Sequence, residues 1–342
     1  MNVDSGRNAM AGARPQTLLA MGRGIAARLI TGPVRDRLAR IADIDPDLVA
    51  DDFADPRVAA ALSHAEVLLT SWECPPITAE VLAGAPRLKA VVHAAGTVKH
   101  HVTEACWQRG ILVSSAAAAN AEPVAEYTLA AILFAGKRVL DIARLYRERR
   151  AALDWDGRFP GFGNYRRTVG VVGASMIGRR VIELLRPFDL EVLVADPYLT
   201  DDLGVRHVEL DELLERCDVV SLHAPSLPET RHLIDAARLA RMRDGATLVN
   251  TARGALVDQD ALTAELATGR LFAVIDVTEP DVLPADSPLF DLPQVLLTPH
   301  IAGSLGGELA RLADHALEEL SRYARGLPFA YAIERQALPR LA

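Results

Sequence analysis

Residues Gly170 to Gly178 read GVVGASMIG, and this stretch decides the fold. Small and β-branched residues run up to a glycine, and a helical stretch follows, so the local order is strand, tight turn, helix. Gly173, Ser175 and Gly178 occupy the three positions of a dinucleotide fingerprint, with Met176 and Ile177 between the last two. In that fingerprint the first glycine makes the turn, the second lets the backbone approach a pyrophosphate, and the third packs helix on strand. Ser175 replaces the middle glycine; its Cβ takes up space there, while its hydroxyl is able to donate to a phosphate oxygen. Taken alone, the degenerate motif is also readable as a plain strand-to-helix turn. The next expected strand, Glu191 to Asp196, weighs for a nucleotide: Asp196 follows Gly178 by 18 positions and precedes Pro197. A carboxylate there accepts hydrogen bonds from an adenosine ribose. It also repels a 2′-phosphate, and no arginine follows within Pro197 to Asp201. Arg179 and Arg180 belong to the helix, so the cofactor expected is NAD, not NADP.

Outward from this unit, short β-branched or Leu-rich runs alternate with helical stretches, the pattern of parallel sheets covered by helices. Downstream strands are expected near Val219 to His223, Thr247 to Asn250, Ala273 to Val277 and Val295 to Thr298, with a helix over Asp258 to Gly269 and a final one from about Leu305 to Arg325. Upstream, Thr17 to Met21, Glu66 to Ser71, Leu88 to Ala94 and Ile111 to Ser115 form a first α/β unit. One long helix is expected from about Ala121 to Ala151, opened by Asn120, Ala121, Glu122 and Pro123. Its basic second half, Lys137 to Arg150, is read as a solvated or subunit-facing surface. Phe159 to Tyr165 reads as a connecting arm.

The 342 residues suffice for two cores, since single cores usually stop growing beyond about 250 residues. A net charge of −8 disfavours a nucleic-acid partner and suits a small molecule. Cys74, Cys106 and Cys217 are odd in number and far apart, which suggests neither a disulfide framework nor a zinc site and points to a reducing cytoplasm. Met1 to Arg14 lacks an apolar h-region and reads as a loose tail, and the longest apolar run, Leu129 to Ala135, is too short to cross a bilayer. No membrane partner is expected.

Three segments carry the chemistry: NTARG at Asn250 to Gly254, DVTEP at Asp276 to Pro280 and TPHIAG at Thr298 to Gly303. Arg253 offers a planar donor fork for a carboxylate and a neighbouring carbonyl. His300 can give or take a hydroxyl proton, and Glu279 can orient the imidazole and favour its charged form. An arginine, a glutamate and a histidine in this order suit a dehydrogenase acting on a 2-hydroxy acid.

With the fingerprint, Asp196, SLHAP at Ser221 to Pro225, NTARGALVD at Asn250 to Asp258, SPL at Ser287 to Leu289 and TPHIAG in this order, the chain resembles the D-isomer-specific 2-hydroxyacid dehydrogenases over nearly its whole length. The resemblance implies an α/β protein of two Rossmann-like or flavodoxin-like parallel-sheet domains with an active-site cleft between them. A discontinuous substrate domain would comprise 1–118 and 304–342, and an NAD-binding domain 119–303, including a long dimerisation helix, which makes a homodimer the expected partner state. It gives Arg253 the substrate carboxylate and carbonyl, His300 the acid/base role and Glu279 the part of its carboxylate partner. Asp276 matches the position that contacts the nicotinamide amide. His223, Ala224, Pro225, Thr251 and Ala252 match cofactor-lining positions, and Thr230, Ala302 and Gly303 are grouped with them. The substrate is expected to be a small 2-hydroxy or 2-keto acid. Relatives that serve as dinucleotide-sensing corepressors keep the same fold, so a scaffold is the competing class; it needs only the cofactor pocket, whereas this chain retains the full trio.

The chain departs from the family in the substrate domain. Where a glycine-rich turn usually holds the carboxylate, it has Ala94 to His101, AAGTVKHH. The amides of Gly96 and Thr97 can still serve, since backbone donors do not depend on side-chain identity. Lys99, His100 and His101 are expected at the surface, without a metal. Trp72 to Pro76 lacks the basic residue of phosphoglycerate-type members, which argues against a phosphorylated substrate. Trp72 either faces the cleft and favours a bulky or apolar side chain, or packs into the core.

Overall fold

The structure, a computed structural model, describes residues 14–338; the expected tail before Arg14 and the last residues from Pro339 lie outside the described residues. The chain forms two compact units, one from residues up to Asn120 together with those from Gly306 onward, the other from Ala121–Leu305.

The first unit is built on four parallel strands, β1 (Thr17–Ala20), β2 (Val67–Thr70), β3 (Ala90–His93) and β4 (Leu112–Ser115), hydrogen-bonded in that order. Successive side chains of a strand point to opposite faces, and these runs are apolar on both. Leu19, Val67, Leu69, Ala90 and Val92 pack with Leu312, Ala316 and Leu320 of the last helix, Leu309–Ala324. Leu18, Leu68, Val91 and Val113 face the opposite core, with Val58, Leu82 and Cys106. Thus the end of the chain covers a sheet begun by its start.

The second unit holds seven parallel strands, β5 (Thr168–Val172), β6 (Glu191–Ala195), β7 (Arg206–His207), β8 (Val219–Leu222), β9 (Thr247–Asn250), β10 (Phe272–Ile275) and β11 (Val295–Leu297), in the order β11-β10-β9-β8-β5-β6-β7. From β5 the chain runs outward through β6 and β7, then returns to the other side of β5 as β8. That reversal is the point where open α/β sheets bind ligands, beyond the carboxyl ends of their strands. β7 was not expected; at two exposed residues it carries no period to read.

The long helix needs correcting. It begins at Ala117, not Ala121, with Asn120 N–H already donating to Ala116 O at 2.9 Å, so Pro123 lies inside the helix. It also ends at Gly136; a second helix, Val139–Arg149, follows a break where Arg138 adopts φ 53°. Tertiary contacts account for the break: the Arg138 guanidinium lies 3.3 Å from the Phe272 ring centroid and 3.4 Å from the Asp141 carboxylate. Cation–π and ionic contacts of a largely desolvated arginine offset the cost of a left-handed residue.

Candidate active site

At the end of β5 the chain turns at Gly173, φ 97°. A Cβ there would lie 2.6 Å from the Ala224 amide nitrogen and 2.8 Å from the His223 carbonyl carbon. A Cβ on Gly178 would lie 2.0 Å from the Gly173 carbonyl oxygen. Both positions therefore need glycine so that turn, helix and the segment after β8 can close on one another. Ser175 is the N-cap of the helix Met176–Leu185, its Oγ accepting from Gly178 N–H at 3.3 Å. The residue that breaks the glycine pattern thus satisfies a free amide of the helix start. Met176 is exposed and Ile177 half-buried.

Asp196, just past β6, accepts from the amides of Ala174 at 2.7 Å and Tyr198 at 2.8 Å; Pro197 beside it is exposed. After β8, His223 is buried, with Nε2 2.8 Å from the Ser221 hydroxyl, and burial pushes its imidazole down to about 3. His223 Nδ1 is buried without a hydrogen-bond partner among the described residues, and Ala224 and Pro225 after it are half-buried. The Thr230 hydroxyl ties that loop, donating to Pro225 O at 2.7 Å and accepting from Leu227 N–H at 2.8 Å.

Arg253, Glu279 and His300 follow β9, β10 and β11, which are adjacent in the sheet. Remote in sequence, they share one carboxyl edge. The Asn250 amide shapes the first loop, donating to Arg253 O at 2.9 Å and accepting from Ala252 N–H at 3.1 Å. Thr251, also buried, hydrogen-bonds Thr128 at 2.8 Å. A Cβ on Gly254 would lie 2.2 Å from the Thr278 carbonyl carbon and 2.6 Å from the Glu279 nitrogen, so glycine lets the arginine loop lie against the glutamate loop. The Arg253 Nη1 donates to Ala252 O at 2.6 Å, and no carboxylate among the described residues hydrogen-bonds this guanidinium. Burial lowers its pKa, with the Asp281 charge opposing.

The TPHIAG turn is wired to buried Asp276. Its carboxylate accepts from Thr298 Oγ1 at 2.6 Å, Ile301 N at 2.8 Å and Ala302 N at 2.9 Å, and its carbonyl from His300 N at 2.8 Å. Because the Thr298 hydroxyl donates to Asp276, the Tyr127 hydroxyl, 2.9 Å away, must donate to Thr298. His300 is exposed and held at φ 55°, a backbone state uncommon outside glycine. Glu279 is paired with Arg231 at 2.9 Å, and no hydrogen bond joins it to His300. The Arg231 hydrogen bond and charge keep the Glu279 carboxyl below its ordinary range.

Residues 129–302 match the family model described as D-isomer specific 2-hydroxyacid dehydrogenase, NAD binding domain. Glyoxylate reductase of Korarchaeum cryptofilum is 37% identical over 265 residues, covering 75% of this chain and 80% of that protein. The chain belongs to the D-isomer specific 2-hydroxyacid dehydrogenase family. D-3-phosphoglycerate dehydrogenase of Mycobacterium tuberculosis is 35% identical over 319 residues, 91% of this chain but 54% of that protein, so the chain spans about half the length of this relative. The crystal structure of D-lactate dehydrogenase from Aquifex aeolicus, complexed with NAD and lactic acid, has 28% identity and a TM-score of 0.71, covering 91% of this chain and 96% of that one.

The NAD assignment of this dehydrogenase family fits the turn at β5. Gly173 and Gly178 let the turn, the helix Met176–Leu185 and the segment after β8 close on one another, which leaves a helix N-terminus, a natural site for a phosphate, at the end of β5. Buried Ala302 and half-buried Gly303 close the TPHIAG turn.

In the first unit, Gly96 and Thr97 are half-buried in the loop after β3. Trp72 packs on the apolar cluster under β1 to β3, so core packing accounts for its ring. Lys99 and His100 are exposed, but His101 is not at the surface as expected: it is 3% exposed. The Thr70 hydroxyl lies 2.9 Å from His93 Nδ1 and 3.2 Å from His101 Nε2. One hydroxyl hydrogen serves two imidazoles, so Thr70 donates to one and accepts from the other. Burial pushes His101 down to about 4, and burial together with His101 holds His93 well below the histidine range. The loop carrying Gly96 and Thr97 is thereby clasped at both ends by Thr70. Tyr127, Thr70 and Arg231 were missed from sequence, and Asn250 and Gly254, though part of the quoted NTARG segment, were given no role; a histidine closing the apolar run Ala90–His93 was the one signal of the clasp.

Proposed function

We propose that this chain is an NAD-dependent dehydrogenase that interconverts a D-2-hydroxy acid and its 2-keto acid, and that it reduces the keto acid when NADH is plentiful. The observation that supports this most is Arg253, a largely buried guanidinium to which no carboxylate of the described residues hydrogen-bonds, although the Asp281 charge acts on it. A substrate carboxylate supplies the missing anion, and the planar fork also polarises the adjacent carbonyl. His300 delivers a proton to the carbonyl oxygen in reduction and takes it back in oxidation, a role worth roughly 10²- to 10⁴-fold in rate. Bound NAD supplies the hydride donor or acceptor. Glu279 backs the imidazolium once its carboxylate turns from Arg231. In the first unit the Gly96 and Thr97 amides serve as carboxylate donors, and the Trp72–Pro76 loop, without a basic residue, favours an unphosphorylated acid.

The same reading makes the protein a cytoplasmic homodimer whose interface includes the helices from Ala117 to Arg149, where Phe134 and Tyr146 are 54% and 60% exposed. Among the described residues no helix is long and apolar enough to cross a membrane. The test is NADH absorbance followed with purified protein and a panel of 2-keto acids differing in length, bulk and charge. Turnover that disappears in His300→Ala supports the dehydrogenase. Background traces for both proteins across the panel would refute it in favour of a dinucleotide-sensing scaffold.

A further inference from the structure

Asp196 is not the only charged group at the ribose end of the cofactor turn. Arg179, in the first turn of the helix Met176–Leu185, donates from Nε to Ala174 O at 2.9 Å. Asp196 accepts from the N–H of that same Ala174 at 2.7 Å. A guanidinium and the ribose-selecting carboxylate therefore bracket a single residue. Both remaining arms of Arg179 point elsewhere: Nη1 and Nη2 each donate to the carboxylate of Asp201, Nη2 at 2.8 Å, in a bidentate pair. Arg179 thus stands between the Asp196 and Asp201 carboxylates, both of which act on its charge.

We propose that Asp201 is a specificity residue: by occupying both arms of Arg179 it withholds a guanidinium suited to a 2′-phosphate and keeps the turn selective for NAD over NADP. The proposal rests on the NAD assignment and extends it, because selectivity then has two parts. Asp196 accepts the ribose hydroxyls and repels the phosphate; Asp201 disarms a guanidinium beside it that would attract the phosphate. A phosphomonoester adds roughly 1.5 to 2 negative charges at neutral pH, which Arg179 is unable to meet while its fork is engaged. Guanidinium and phosphate match as a bidentate pair, so freeing the fork converts a repulsive corner into a mixed one. Asp201 is exposed on the loop after β6, where loss of a charge leaves the core untouched.

The test is a titration of reduced-nicotinamide fluorescence with NADH and with NADPH, giving Kd for the parent, for Asp201→Asn, and for Asp201→Asn combined with Arg179→Ala. In Asp201→Asn the NADPH Kd should fall roughly tenfold or more, the range of a charge-assisted pair, with NADH binding little changed. The combined variant should lose that gain. A gain that survives Arg179→Ala would overturn the proposal, because simple removal of a negative charge would then suffice. An unchanged ratio of the two Kd values in Asp201→Asn, in a protein that still binds NADH, would overturn it while leaving the NAD assignment standing. A parent that binds neither dinucleotide would overturn both.

Discussion

Acidification should weaken the first unit, and the weakening should be traceable to His101. Burial, with the nearby His100 charge, takes this imidazole from its ordinary 6.5 down to about 4, and the side chain is 3% exposed. Because the folded value lies below the unfolded one, the unfolded chain binds the extra proton between about pH 6.5 and pH 4. Stability is therefore unaffected above that window and falls as pH drops through it. The single-site linkage expression makes the loss ~2 kcal/mol at pH 5 and ~3 kcal/mol at pH 4. That is a large part of the 5–15 kcal/mol typical of a domain. His93, depressed by burial and by His101, adds a loss of the same sign. Urea titrations at pH 7.5 and pH 5.0, read by tryptophan fluorescence, would measure it, since Trp72 and Trp107 lie in this unit. His101→Leu removes the titrating group; it lowers stability at pH 7.5 by the lost Thr70 bond, but its further loss at pH 5.0 should be smaller than the parent's by ~2 kcal/mol. Equal acid losses in parent and variant would refute the assignment of the buried imidazole as neutral.

Other outcomes follow from close backbone approaches. Gly254→Ala places a methyl 2.2 Å from the Thr278 carbonyl carbon, so the Arg253 loop must move away from the Glu279 loop; keto-acid turnover should fall by about 100-fold, as for misplaced catalytic groups, while NADH binding by fluorescence is retained. Gly178→Ala meets the Gly173 carbonyl oxygen at 2.0 Å and should weaken NADH binding at least tenfold, with a thermal-stability loss of about 1–3 kcal/mol from overpacking.

The strands were readable because their residues obey local rules. Thr247–Asn250 is a β-branched, apolar run bounded by turn residues and was placed to the residue, and the other named strands shift by one or two positions at their ends. The placement of Arg253, Glu279 and His300 just past strand ends was readable because each lies within a few residues of such a run. The chain could not announce its wiring, which depends on partners distant in sequence: Arg231 on Glu279, Tyr127 through Thr298 to Asp276, and Thr70 between His93 and His101. His101 was misplaced for the same reason. Its neighbours Lys99 and His100 are polar and exposed, and nothing local shows that the chain folds inward one residue later to reach Thr70. The helix break at Arg138 is again tertiary, set by the Phe272 ring over which the guanidinium lies.

Asp276 shows how these long-range contacts bear on the chemistry. A carboxylate that is 2% exposed, placed directly after β10, is unfavourable unless its oxygens are well supplied with donors. Here three donors serve it, and two of them are backbone amides of the segment that carries His300. Those amides cannot be met by a strand ladder, because β11 ends at Leu297 and the chain must turn for His300 to reach φ 55°. The buried charge thus substitutes for sheet pairing over a few residues and holds open a left-handed state that histidine seldom adopts. An apolar residue at position 276 would leave the Ile301 and Ala302 amides unsatisfied and release the turn. The Asp276 carboxylate thus ties together the backbone of the turn that carries His300.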